Sequence, residues 1–305
     1  MGPESCSSDA TMAANSLKQN HYYPAPDGLF HYIDWGGTGP MAHLSHATGL
    51  CAAAYTPLVN LLLHRLHVFG MDDRGHGKST VAADARKLKN WDVFVDDLEG
   101  LFAMIDQPII AMGHSRGAVA SMLLALRQPG RVRALVLIDP TILPVYYTWF
   151  VYFARFSGLN RFYPIAARAA KRNSAWTDRK TIFRAYQSKN MFKSWQKGFL
   201  EGYIEDGTHQ TNEGGIRLSC EPAWEARCFA AYPPDLWQHV LKIKQPILVL
   251  YGDKSDTFLA PAAKRFQAKV PHAKMHCFRD TSHFVPMEKP RETAGAICDF
   301  VDSLS

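Results

Sequence analysis

The sequence predicts an α/β fold, in which a mostly parallel central sheet carries helices on both faces and is interrupted by one helical insertion. Three observations predict it. Short apolar runs of strand length recur along the 305 residues, bounded by turn residues. Segments of helical period lie between them, an alternation that implies parallel strands buried on both faces. The alternation breaks once, from about Thr141 to Trp237, where the chain turns aromatic and basic and no strand is expected. That stretch is too long for a loop inside a compact domain, so it reads as a helical insertion.

Taken in order, the first twenty residues, "MGPESCSSDATMAANSLKQN", are polar and small and are expected to form a mobile tail. They carry no basic stretch followed by an apolar one, so no secretory leader is expected. Strands are expected at "LFHYIDWG" (29–36), "MAHLS" (41–45) and "LHVFGMD" (66–72). In "WDVFVDDLEGLFAMI" (91–105) the apolar positions 91, 94, 95, 98, 101, 102 and 105 form a helical stripe. Strand "PIIAMG" (108–113), helix "GAVASMLLALRQ" (117–128) and strand "VRALVLID" (132–139) follow. Beyond the insertion come strands "PILVLYG" (246–252) and "KMHCFRD" (274–280) and a final helix, "RETAGAICDFVDSL" (291–304). The expected division is a core of residues 21–140 and 238–305 and a helical cap, or lid, of residues 141–237.

Composition narrows the function classes. At 47% apolar residues the chain can bury a substantial core, and no apolar run approaches the 18 residues of a membrane span. The net charge of +6 is too mild to imply nucleic-acid binding. The six cysteines (Cys6, Cys51, Cys220, Cys228, Cys277 and Cys298) and thirteen histidines are dispersed, without CxxC or ligand spacing. Reduced thiols, a cytoplasmic location, no metal and no organic cofactor are therefore expected. A homodimer is compatible with this composition.

The chemistry is carried by "GHSRG" (113–117), which closes an expected strand and opens an expected helix. A G-x-S-x-G turn at that junction is strained. It lifts the Ser115 hydroxyl above the sheet and aims a helix N-terminus at any oxyanion formed there. A serine hydroxyl needs a base and an acid to attack a carbonyl, expected later in the chain in the order Ser, Asp/Glu, His. "YGDKSD" offers Asp253 and Asp256, and "TSHFVPMEKP" offers His283 in a loop before the final helix.

With "SHATG" after the second expected strand, "DDRGHGKS" after the third, "GHSRG" and "TSHFVPMEKP", the chain resembles the α/β-hydrolase-fold superfamily, of the esterase, lipase and C–C hydrolase type. The resemblance spans roughly residues 22–305. It implies Ser115 as nucleophile, His283 as general base and Asp256 as acid, with Asp253 and Asp139 as alternatives. It also implies an oxyanion hole of the Arg116 and Thr48 backbone N–H groups. Many relatives have glycine where this chain has Ala47, which leaves Thr48 and Leu50 both open as the loop's donor. For "DDRGHG" (72–77) the resemblance implies a loop-ordering network rather than catalysis.

The expected activity is hydrolysis of a carboxylic ester through an acyl-enzyme. The rivals are a lactone, an amide or a C–C bond cleaved on the same residues, cofactor-free perhydrolysis or haloperoxidase-type chemistry, and ligand binding without turnover. From Tyr146 to Tyr203 the insertion carries sixteen aromatic residues, and eleven Lys/Arg against only Asp178 and Glu201. The aromatic residues, "YYTWFVYF" (146–153) included, are expected to roof an apolar acyl or aryl pocket for a small-molecule substrate. The basic face is expected to draw in anionic substrates or an anionic surface.

Overall fold

The computed structural model describes residues 18–157 and 163–304; most of the expected tail, with Cys6, lies outside the described residues. The chain opens with strands β1 (Gln19–Ala25), β2 (Gly28–Gly37) and β3 (Met41–Ser45). A 3₁₀ turn (Ala52–Tyr55), helix α1 (Thr56–Asn60) and β4 (His67–Met71) follow, then α2 (Asp92–Phe102), β5 (Ile109–His114), α3 (Arg116–Arg127) and β6 (Val132–Ile138). The segment that follows holds α4 (Val145–Phe156), α5 (Pro164–Ala170), β7 (Ala175–Trp176), α6 (Arg179–Gln187), α7 (Asn190–Lys193) and α8 (Phe199–Asp206). It continues with β8 (Thr208–Gln210), β9 (Ile216–Leu218), α9 (Pro222–Ala230) and α10 (Leu236–Val240). The chain closes with β10 (Ile247–Gly252), α11 (Ala260–Lys269), β11 (Lys274–Phe278), α12 (Val285–Glu288) and α13 (Pro290–Asp302).

Eight strands form one sheet in the order β1-β2-β4-β3-β5-β6-β10-β11. All pairs are parallel except β1 with β2 and β2 with β4. The strands read as continuous apolar runs because both faces are covered. Along β6, Leu135 and Leu137 pack with α2, α3 and α11, while Val136 and Ile138 pack on the opposite face with α1, α8 and α13. No helix among the described residues is long and apolar enough to cross a membrane.

Two expectations need correction here. Gln19 and Asn20, assigned to the tail, already pair with β2. The insertion is not purely helical, because β7, β9 and β8 form a small antiparallel sheet. Its strands have two or three residues, too short to show a period of two in the sequence.

Candidate active site

Ser115 sits between β5 and α3 with φ 59° and ψ −120°, outside the regions a serine ordinarily occupies. The strain is held by close backbone approach on both sides. A Cβ on Gly113 would stand 2.3 Å from Gly117 O, and one on Gly117 would stand 2.4 Å from Ser45 O. Only glycine fits either position, which accounts for the two glycines of the motif. The Ser115 N–H is tied to Ile138 O at 3.0 Å, and its hydroxyl bonds Thr141 Oγ1 at 3.1 Å.

His283 lies in the loop between β11 and α12. Its Nδ1 meets Asp139 Oδ1 at 2.7 Å, so Nδ1–H donates and Nε2 is left as the basic nitrogen. Asp139 directly follows β6 with φ 41° and is fully buried. Its carboxylate also accepts from Ser255 Oγ at 2.6 Å and from the Gly252 N–H at 3.1 Å. Three donors therefore compensate a charge that burial alone would disfavour.

The structure does not bring the expected acid, Asp256, to this histidine. Asp256 is exposed, and its Oδ1 accepts from the adjacent Thr257 hydroxyl. Asp253 is exposed too, and accepts from the Thr281 N–H at 3.3 Å. Neither touches His283. Strands β6 and β10 are neighbours, with Ile138 opposite Leu250. Asp139 therefore reaches the loop after β10 from the side, and that loop contributes Ser255 rather than a carboxylate.

The loop after β3 packs its backbone against the turn that holds Ser115, at Gly117. The Ala47 N–H donates to Tyr55 Oη at 3.0 Å, the Gly49 N–H to His76 Nε2 at 3.1 Å, and the Leu50 N–H to Ala47 O at 3.1 Å. Leu50, left open above, thus has its N–H occupied. Among the described residues no acceptor meets the Thr48 N–H. Arg116 is the first residue of α3, so its N–H has no partner within the helix either. The two N–H groups singled out in the sequence lie on separate elements, one in the loop after β3 and one at the start of α3.

A buried polar scaffold fixes that loop. Arg116 donates through Nε to Thr48 Oγ1 at 2.9 Å, donates through a terminal nitrogen to Asp73, and lies 3.8 Å from the Phe94 ring centroid. Burial would raise the Asp73 carboxyl, but Arg116, His46 and His76 outweigh it and hold it at about 2. Asp72 accepts from the Ala52 and Lys78 N–H groups and meets His31 Nδ1, and Arg74 grips Asp97 with two bonds of 2.6 Å. His114 bridges the two sides: its Nδ1 accepts from Tyr55 Oη at 2.7 Å, and its Nε2 donates to His283 O at 2.9 Å. Burial, then the neighbouring His283, pushes His114 well below the usual histidine range, in keeping with its neutral role in this chain of bonds.

From the insertion, Arg172 bonds Glu225 Oε2 at 2.7 Å and the hydroxyls of Tyr186 and Tyr203. The pair lies against Gly49, whose φ is +81°; a Cβ there would stand 2.5 Å from Glu225 Oε1. Ring contacts run from Tyr203 and Tyr186 through Phe192, Trp195 and Phe284 to His283. The "YYTWFVYF" run does not join them. Thr148, Val151 and Ala154 are the buried side of α4, and most of its aromatic rings point outward. The sequence shows periodicity but not which stripe faces in, and here small side chains take the inner one. Tyr55, Thr141, Ser255 and Arg172 were not singled out in the sequence. Ser255 stands inside "YGDKSD", where the aspartates drew the reading, and only the folded chain brings the four to the site.

The alpha/beta hydrolase family model matches residues 43–296. The chain belongs to the alpha/beta hydrolase family. As a family member it is 24% identical to 2-(acetamidomethylene)succinate hydrolase of Mesorhizobium japonicum, over 88% of this chain and 90% of that one. It is also 24% identical to the pimeloyl-[acyl-carrier protein] methyl ester esterase of Nitrosomonas europaea, over 83% of this chain and 92% of that one. The crystal structure of E-2-(acetamidomethylene)succinate hydrolase shares the fold, with a TM-score of 0.76, 21% identity, and coverage of 93% of this chain and 99% of that one. The family model establishes the family and the solved structure the fold, and neither fixes a substrate.

Proposed function

We propose that the protein is a serine acyl hydrolase in which Ser115, His283 and Asp139 act together. The observation that carries the reading is the 2.7 Å bond from His283 to buried Asp139, beside a serine held in a strained strand-to-helix turn. The Ser115 hydroxyl turns from Thr141 to His283 Nε2, gives up its proton and attacks the substrate carbonyl. The Thr48 and Arg116 N–H groups receive the oxyanion. The imidazolium, stabilised by Asp139, returns the proton to the leaving group. Water activated by the same imidazole then releases the acyl group and restores the serine.

The substrate reading is a carboxylic ester whose acyl part lies against Trp195 and Phe284, under residues 141–237 acting as the cap. The esterase relative supports an ester. A second reading is an acid-bearing amide. It is favoured by the Arg172 guanidinium beside Gly49 and by the relative named for a succinate carrying an acetamido group. The test compares purified protein with its Ser115→Ala variant on p-nitrophenyl esters of graded chain length, and on N-acyl amides with and without a carboxylate. The reading predicts turnover of esters longer than acetate, lost in the variant. Turnover confined to acid-bearing amides would select the second reading, and turnover that survives Ser115→Ala would overturn both.

A further inference from the structure

Helix α4 presents an apolar stripe to solvent instead of to the core. Tyr146, Trp149, Phe150 and Phe153 are 60–65% exposed and recur at i, i+3, i+4 and i+7, the spacing of one helix face. The opposite face, with Thr148, Val151 and Ala154, is buried. A patch of four large aromatic residues on one face marks an interaction site rather than the scattered exposure of ordinary surfaces. Its charge setting is equally one-sided. Residues 141–177 contain Arg155, Arg161, Arg168 and Lys171 and no Asp or Glu; the further Arg172 is paired with Glu225. Helix α5, which carries Arg168 and the exposed Ile165, begins beside α4: Tyr163 bonds Val151 O at 3.1 Å and its ring lies 6.3 Å from that of Phe150.

We propose that α4 docks the protein on an anionic lipid surface. Tyr146 and Trp149 have apolar rings with polar tips and suit the headgroup level. Phe150 and Phe153 are purely apolar and suit the acyl boundary below it. Arg168 and Lys171, both exposed, supply attraction to acidic headgroups. Pairing with a second copy through this face would set two cation-rich, acid-free segments against each other, because a two-fold interface brings the same patch to itself. A negatively charged membrane satisfies the apolar stripe and the cations together. The helix lies on such a surface rather than spanning it, since no described helix is long and apolar enough to cross. It starts shortly after Asp139 in the chain, so a lipid-borne acyl substrate would be taken up close to Ser115.

The experiment is co-sedimentation of the full-length protein with vesicles of phosphatidylcholine alone or mixed with one third phosphatidylglycerol. It includes a Trp149→Ser, Phe153→Ser double variant and an Arg168→Glu, Lys171→Glu double variant. Circular dichroism melting shows that the variants stay folded, as exposed substitutions should. The proposal predicts binding to the phosphatidylglycerol vesicles that weakens by about tenfold or more on phosphatidylcholine alone, in either variant and in high salt. No binding to the anionic vesicles would overturn it, as would equal binding by folded variants. A wild-type dimer in sedimentation equilibrium that the Trp149/Phe153 variant abolishes, with no vesicle binding, would assign the stripe to self-association instead.

Discussion

Asp139 shows how a single carboxylate is prepared for a partner far away in sequence. Its lone pairs are shared among the Gly252 N–H, the Ser255 hydroxyl and His283 Nδ1. Ser255→Ala would leave a buried charge short of one donor. It should cost about 1–3 kcal/mol in urea unfolding and lower kcat as well, because His283 then meets a less well oriented carboxylate. Unchanged stability would mean that the Ser255 bond contributes nothing. At this scale the candidate serine and histidine were legible in the sequence, since the strand-to-helix turn and the histidine loop have local signatures. The carboxylate that pairs with the histidine was not. "YGDKSD" and "LIDP" each put an aspartate at the end of a strand, and only the pairing of β6 beside β10 shows which of them faces inward.

At the scale of the element, the loop after β3 and the turn after β5 depend on shape as much as on donors. Gly49 at φ +81° packs against the Arg172–Glu225 pair. Gly49→Ala should therefore cost about 1–2 kcal/mol in backbone strain and displace Glu225, which moves the Thr48 N–H. Thermal melting should show a folded protein of lower Tm, and, if the Thr48 N–H serves the oxyanion as proposed, kcat should fall toward the loss of about 10²–10³ that follows removal of one such donor. Wild-type kcat would contradict the role given to this loop. The core elements were legible because strands buried on both faces leave unbroken apolar runs and α2 leaves a clean helical stripe. The insertion was legible only as helical and aromatic. Its short strands β7, β8 and β9 are held by pairing with one another rather than by pattern, and the outward stripe of α4 has the same period as an inward one.

Across the whole molecule, eight strands bring residues 115, 139 and 283 to one edge of the sheet, and buried histidines hold the loops around them. This makes stability depend on pH. Burial lowers His43 to about 3 and pushes His76 and His114 well below the usual range. In the unfolded chain they titrate near 6.5. The unfolded state binds more protons below that pH, so their contribution is complete above about 6.5 and is lost as pH falls. Between pH 7 and 4 His43 alone should remove about 3 kcal/mol, read as a falling urea midpoint; a flat profile would contradict neutral burial. The central claim, that Ser115 is activated by His283 and Asp139, is tested most directly without knowing the substrate. Intact mass spectrometry can follow the rate at which a fluorophosphonate labels the wild type, Ser115→Ala, Asp139→Asn and Asp256→Asn. The account predicts one adduct on the wild type at a rate that Asp256→Asn leaves within a few-fold. Labelling should be absent in Ser115→Ala and slowed by up to about 10⁴ in Asp139→Asn. Labelling of Ser115→Ala, or loss in Asp256→Asn with Asp139→Asn at the wild-type rate, would contradict it.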